Sequence, residues 1–475
     1  MMLTQIQLYK IKDHTLPILI WTCIAFLPIN SNLIDVIFWL LLTSFLLNRQ
    51  RWEVLKENKV FLILMIQYPL LNITYLFFGS NDHDILMSIG KYEMWIYSIL
   101  GIILATTFFD NMSTHRYAVL FLPVSVILTF VCAAYNFHIL GVPKVKLANT
   151  MVFHAPLLVT TVAFIVFGAL NVNRLASAIF ASLLIGITII LSTAYAGTRG
   201  IFLGQLVALS FASLLLIFFK KYALAAALVL STMSSTLVGV WMDSQISDIS
   251  AMRLGVIFEL FDEYSTTLFS LISVIFLVSL SSYYLLRNTL FIRSHSNSVW
   301  QLFAAAIFIL AALGISIFSV SDLNSSIVQT ISNSVKIAER FDISVSHRLQ
   351  FLAHGINALE GHFVFGLGAN IEATLAQTSF AGSWHYHLHN NYLSWLVWGG
   401  IIMLASGLLW LFAPAVLIGT HANTRMSLTC ATISILWSIS LLFDSFFAWK
   451  NFTFVYILLI CLGYQISRSS SKIAA

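Results

Sequence analysis

The chain reads as an all-α polytopic membrane protein of about 12–14 transmembrane helices, with one long, partly helical loop between two late spans. Three observations predict this. Apolar residues make up 59% of the 475 and charged residues only 9%, against about 25% charged in a soluble domain. Mean hydropathy is +0.91. Fourteen apolar runs approach the roughly 20 residues that cross a bilayer.

The runs are 16–30, 33–48, 60–79, 93–109, 117–137, 152–170, 175–193, 201–219, 222–241, 265–286, 299–319, 391–413, 427–445 and 453–467. The first two are short and fit a tight hairpin. The first carries no small-residue cleavage site and reads as a retained span. An even number of spans puts both termini on one side. With those termini in the cytoplasm, the Lys and Arg residues divide 15 inside to 9 outside, the asymmetry expected of a positive-inside protein. Arg199, Arg253, Arg348 and Lys450 then lie outside, and Arg468 inside. The net charge of +5 reflects the basic inner loops facing anionic lipid, and no nucleic-acid motif accompanies it. All four cysteines fall in apolar runs, so a disulfide framework is not expected.

Four regions follow: N-terminal spans over 1–190, central spans over 191–319, an outer loop domain over 320–390 and C-terminal spans over 391–475. The loop is too long to be a plain connection. Within it, Leu349, Leu352, Ile356 and Leu359 recur at helical spacing, with Ser346 as the candidate N-cap. Glycines at 366 and 368 then permit turns. The expected form is a small folded cap on the outer surface.

Chemistry concentrates in three places. Residues 384–400 carry His385, His387 and His389, then Asn390 and Asn391, where a loop enters a span. Imidazole suits proton transfer at neutral pH. A metal reading of the three histidines lacks a neighbouring carboxylate, the closest in sequence being Glu372, so no metal is expected. An aromatic-histidine belt at the interface is the structural alternative. Arg199, between Thr198 and Gly200 at the mouth of a span, offers a planar fork to phosphate oxygens. Gly197 and Gly200 are expected to let an anion approach a helix start. An anchor at the bilayer edge is the alternative. Arg348, after His347, opens the loop helix as a second fork or as a solvated surface residue. Arg253 in the 242–264 loop is a supporting candidate. No carboxylate pair of glycosidase type stands out among the outer acidic residues.

These residues carry a family resemblance. Ser346-His347-Arg348-Leu349, the helix after it, Gly366-Leu367-Gly368-Ala369-Asn370, and His389-Asn390 followed by nine residues and Gly400 resemble the C-terminal region shared by bacterial O-antigen ligases and O-antigen polymerases. Thr198-Arg199-Gly200 resembles the arginine that this family carries in an earlier outer loop. The similarity spans about residues 190–410. Met403 stands where the ligase pattern usually has threonine, and Ser394 where many relatives have an acidic or amide residue.

The resemblance implies a cofactor-free, metal-independent glycosyltransferase of the GT-C type in the bacterial inner membrane, its active site facing the periplasm. It would take a glycan from undecaprenyl diphosphate and pass it to lipid A-core, or, as a polymerase, to another lipid-linked repeat. Lipopolysaccharide-assembly proteins would be its neighbours. On this reading His389 handles the acceptor hydroxyl and Arg199 and Arg348 hold the donor diphosphate, with Asn390, His385, His387 and Arg253 in support. A polysaccharide flippase is the reading from another class. The near-absence of charge within the spans weighs against it.

Overall fold

The computed structural model describes residues 15–27, 29–30, 32–78, 85–110, 112–139, 155–170, 175–196, 198–218, 220–246, 343–368, 375, 388–419, 424–444, 446–448 and 450–474. Among them there is no strand. The helices are α1 (Thr15–Phe26), α2 (Leu33–Leu47), α3 (Arg51–Glu57), α4 (Lys59–Phe78), α5 (Ile85–Phe109), α6 (Met112–His138), α7 (Ala155–Ala169), α8 (Leu175–Ile190), α9 (Arg199–Phe218), α10 (Tyr222–Ile246), α11 (Ile343–Ala358), α12 (Asn391–Gly419), α13 (Thr424–Ser440) and α14 (Lys450–Ala474). A π-turn, Leu191–Tyr195, extends α8, and a 3₁₀ turn, Phe446–Ala448, precedes α14.

Twelve of the fourteen expected runs are helices. The runs 265–286 and 299–319, together with Arg253, His385 and His387, lie outside the described residues. Eight helices are long and apolar enough to cross a membrane by themselves. A ninth candidate is the pair α2–α3, bent by 103°. The bend has a local cause. The Arg51 guanidinium donates to the carbonyls of Leu46 (2.9 Å), Phe45 (3.3 Å) and Asn48 (3.4 Å), satisfying the end of α2 and opposing its dipole.

The organising element is α14. Of its apolar stretch 89% is buried, against 17% for the peripheral α10. Residues 451–467 carry no charged side chain. At one end Lys450 pairs with Asp35 of α2 (2.8 Å) and Glu93 of α5 (3.0 Å), over the ring of Tyr97. At the other end Arg468 donates to Asn58 (2.9 Å), Asp110 (3.2 Å) and Glu57. Eighteen residues separate these clusters, about 27 Å of helix, which matches a hydrocarbon core of about 30 Å. The two clusters lie at opposite ends of the apolar stretch of α14.

Inside, helices associate as lipid-embedded helices do, through aromatic packing, small residues and buried hydrogen bonds. Trp410, Trp437, Phe447 and Tyr456 interlock at ring separations near 5 Å. The Trp395 indole donates to Tyr68 (2.6 Å), and Trp437 to Thr161 (2.9 Å).

Helix α12 is broken. Gly399 (φ −146°) and Gly400 (φ +63°) leave helical geometry, roughly 12 Å along the helix from Asn391. The segment 363–368 fills the break. Ile401 N donates to Phe363 O (3.0 Å), Leu367 N to Val397 O (2.7 Å) and Gly368 N to Trp398 O (3.1 Å). Gly366 is also left-handed (φ +69°), and a Cβ there would sit 2.6 Å from the amide nitrogens of Gly399 and Gly400. Irregular backbone at membrane depth needs this internal pairing. The loop segment expected to form a cap therefore shares its backbone hydrogen bonds with α12 here. Its helix also starts four residues earlier than a Ser346 cap implies, so Ser346 lies inside α11 and is not its N-cap.

Candidate functional site

The site is built around the start of α12. Asn390 caps that helix. Its Oδ1 accepts from Leu393 N (3.0 Å), while its Nδ2 reaches across to Leu442 O (3.2 Å). Asn391 continues the stitching, with its N–H donating to Leu441 O (2.9 Å) and its Oδ1 accepting from Phe447 N (3.2 Å). The entrance of α12 and the α13–α14 turn are thereby one unit.

His389 precedes this cap with φ +50°, a left-handed conformation for a residue with a side chain. Such backbone costs on the order of 1–2 kcal/mol and persists where surrounding contacts hold it. Those contacts aim the imidazole at Asp444, with Nδ1 3.2 Å from Oδ1. Both side chains keep partial exposure, 28% for His389 and 18% for Asp444. An ionised Asp444 accepts a hydrogen bond from the Nδ1–H tautomer, which makes Nε2 the basic nitrogen of the ring, and it stabilises the imidazolium once Nε2 takes a proton. The pair thus has the parts of a general base and its orienting acid.

Two further elements converge here. The Phe351 ring, fully buried, lies 5.7 Å from that of His389. Phe351 belongs to α11, which packs on α12 where Gly355 meets Leu393. Arg348, half-buried, stands one turn before Phe351 on that helix. From the other side, α9 begins at Arg199, and its next residue, Gly200, packs on Phe443, the neighbour of Asp444. A Cβ at 200 would lie 2.5 Å from that of Phe443. Gly200 was expected to leave room for an anion. Phe443 occupies that room, so the glycine serves helix packing. Arg199 is described by its backbone, which puts the start of α9 against the His389–Asp444 turn.

His389, Asn390, Arg348 and the Arg199 position are therefore gathered at one face, the face of the Lys450 cluster. Sequence reasoning missed Asp444. It lies 55 residues from His389 in the chain, yet it ends the run 427–445, which span parity puts on the same side. The stitching by Asn391 was also missed, because a buried amide at a helix start carries no pattern of its own. Among the described residues no three His, Cys, Asp or Glu side chains group as metal ligands. The four cysteines are free thiols. No protein-family model matches this chain, and no curated protein matches it.

Proposed function

We propose that this protein is a metal-independent glycosyltransferase that moves a glycan from a polyprenyl diphosphate to an acceptor hydroxyl, of the O-antigen ligase type. The observation that supports this most is the His389–Asp444 pair, 3.2 Å apart, with α9 packed on the neighbouring Phe443 and α11 bringing Phe351 against the His389 ring. The reaction needs a base for the acceptor hydroxyl and cations for the leaving group. His389 Nε2 takes the proton as the hydroxyl oxygen bonds to the anomeric carbon. The bond from that carbon to the diphosphate oxygen breaks, and its electron pair leaves with the diphosphate. Arg199 and Arg348 offset the charge that develops there. Asp444 stabilises the resulting imidazolium. A base of this kind contributes about 10²–10⁴-fold.

On this reading the face bearing His389 is the periplasmic side of a bacterial inner membrane, the donor is an undecaprenyl-diphosphate-linked glycan and the acceptor is lipid A-core. O-antigen polymerase is the closest second reading, favoured by Met403 and Ser394 where the ligase pattern differs.

The lipopolysaccharide ladder of a deletion strain tests the proposal. Loss of a ligase leaves bare core with long chains held on the lipid carrier; loss of a polymerase leaves core with a single repeat. Complementation with His389→Ala is expected to leave the defect in place. Full-length chains on core in that strain would remove His389 from the mechanism. Purified protein that forms no product from lipid-linked donor and acceptor would favour a transporter.

A further inference from the structure

We propose that Gln205 and Ser192 are positioning residues for the donor diphosphate, setting where α9, and with it Arg199, begins. This deepens the reading under Proposed function and rests on it. The observation is a buried polar node in the membrane interior, a place where polar side chains are costly. Gln205 of α9 is fully buried. Its Nε2 donates to Thr160 Oγ1 of α7 (2.7 Å) and to Thr188 O of α8 (3.2 Å), and its Oε1 accepts from Ser192 Oγ (2.5 Å). Ser192 belongs to the π-turn that ends α8.

That turn is where α8 hands over to α9. Ala196 N donates to Leu191 O (2.9 Å), the wide bond of a π-turn, and Thr198 N donates to Ser192 O (3.1 Å). Arg199 follows at once as the first residue of α9. Ser192 thus holds the Arg199 loop with its carbonyl and Gln205 with its hydroxyl. Gln205 in turn fixes that turn against α7. Thr161, beside Thr160, receives the Trp437 indole of α13, and α13 leads into Phe443 and Asp444. One node therefore sets the α9 start relative to the His389–Asp444 turn. π-turns are rare and occur frequently at functional sites. Helix glue alone would need no π-turn. Gln465 shows the simpler arrangement, a buried amide donating to Thr106 O (3.0 Å) from within a regular helix.

The test uses full-length protein in lipid nanodiscs, with undecaprenyl diphosphate as the binding probe and thermal unfolding measured in parallel. Gln205→Leu and the milder Ser192→Ala are expected to weaken binding about tenfold, Ser192→Thr to restore it, and Gln465→Leu to leave it unchanged at a comparable loss of thermal stability. Wild-type affinity in folded Ser192→Ala and Gln205→Leu overturns the proposal. So does a loss of affinity in Gln465→Leu as large as in Gln205→Leu, since the effect is then one of general stability. A wild-type protein that does not bind undecaprenyl diphosphate overturns the donor reading, and the positioning role with it. Binding by the wild type with indifference to Gln205 overturns the positioning role only.

Discussion

The two faces of the membrane domain treat their polar side chains differently. On the Arg468 face the guanidinium is nearly covered and reaches Asn58, Asp110 and Glu57, from the α3–α4 junction and the end of α5. It ties three parts of the bundle to α14, on ordinary helical backbone. On the opposite face His389 sits on left-handed backbone, keeps over a quarter of its side chain open and meets Asp444 in a turn between helices. The first arrangement maximises cohesion. The second accepts strain and exposure to hold an imidazole where an incoming group can reach it. Strain of this kind clusters at functional sites, although Lys220 adopts it too (φ +57°). Lys450 provides a control, because it lies on the His389 face yet pairs with Asp35 and Glu93 in the manner of Arg468.

This contrast can be broken by separating activity from stability. His389→Ala is expected to lower glycan transfer by about 10²–10⁴-fold while the unfolding temperature in detergent stays within a few degrees of wild type; a collapse of the fold would make His389 structural. Asp444→Asn should approach the same loss, up to roughly 10⁴-fold in transfer, since the amide keeps the contact to Nδ1 but favours the wrong tautomer and stabilises the imidazolium poorly. Arg468→Ala reverses the pattern. It is expected to destabilise by about 1–3 kcal/mol through lost charged hydrogen bonds, read as a lower unfolding midpoint, with turnover per folded molecule unchanged. Lys450→Met is the smallest, at under about 1 kcal/mol because its carboxylate partners are half exposed. A transfer defect in Lys450→Met larger than in Asp444→Asn would show that the whole face, rather than one pair on it, is tuned for the reaction.

The spans were legible because lipid demands long apolar segments, and Lys and Arg placement then orders their ends. That logic also brings Arg199, Arg348 and His389 to one side; in the structure the start of α9 packs on Phe443 beside Asp444, and α11 packs on α12 at Leu393. Contacts set by packing were not legible. Asp444 acquires meaning only when the α13–α14 turn closes on Asn390 and Asn391. Gly200 looked like an opening for a ligand, but its missing side chain is filled by Phe443 from the α13–α14 turn, 243 residues away in the chain. Ser346 has the chemistry of a cap, yet α11 starts before it. The π-turn at Leu191–Tyr195 has no composition that sets it apart from the apolar run around it. Each miss comes from a non-local contact overriding a local preference.

The weave of residues 363–368 through the gap at Gly399–Gly400 has a consequence for how this protein can be recombined. A backbone that completes another segment's hydrogen bonds cannot be exchanged without its counterpart. In chimeras, residues 363–368 and the 397–401 part of α12 have to be exchanged together. A junction placed between Gly368 and His389 would separate the two partners of these hydrogen bonds and leave each half with unsatisfied backbone groups.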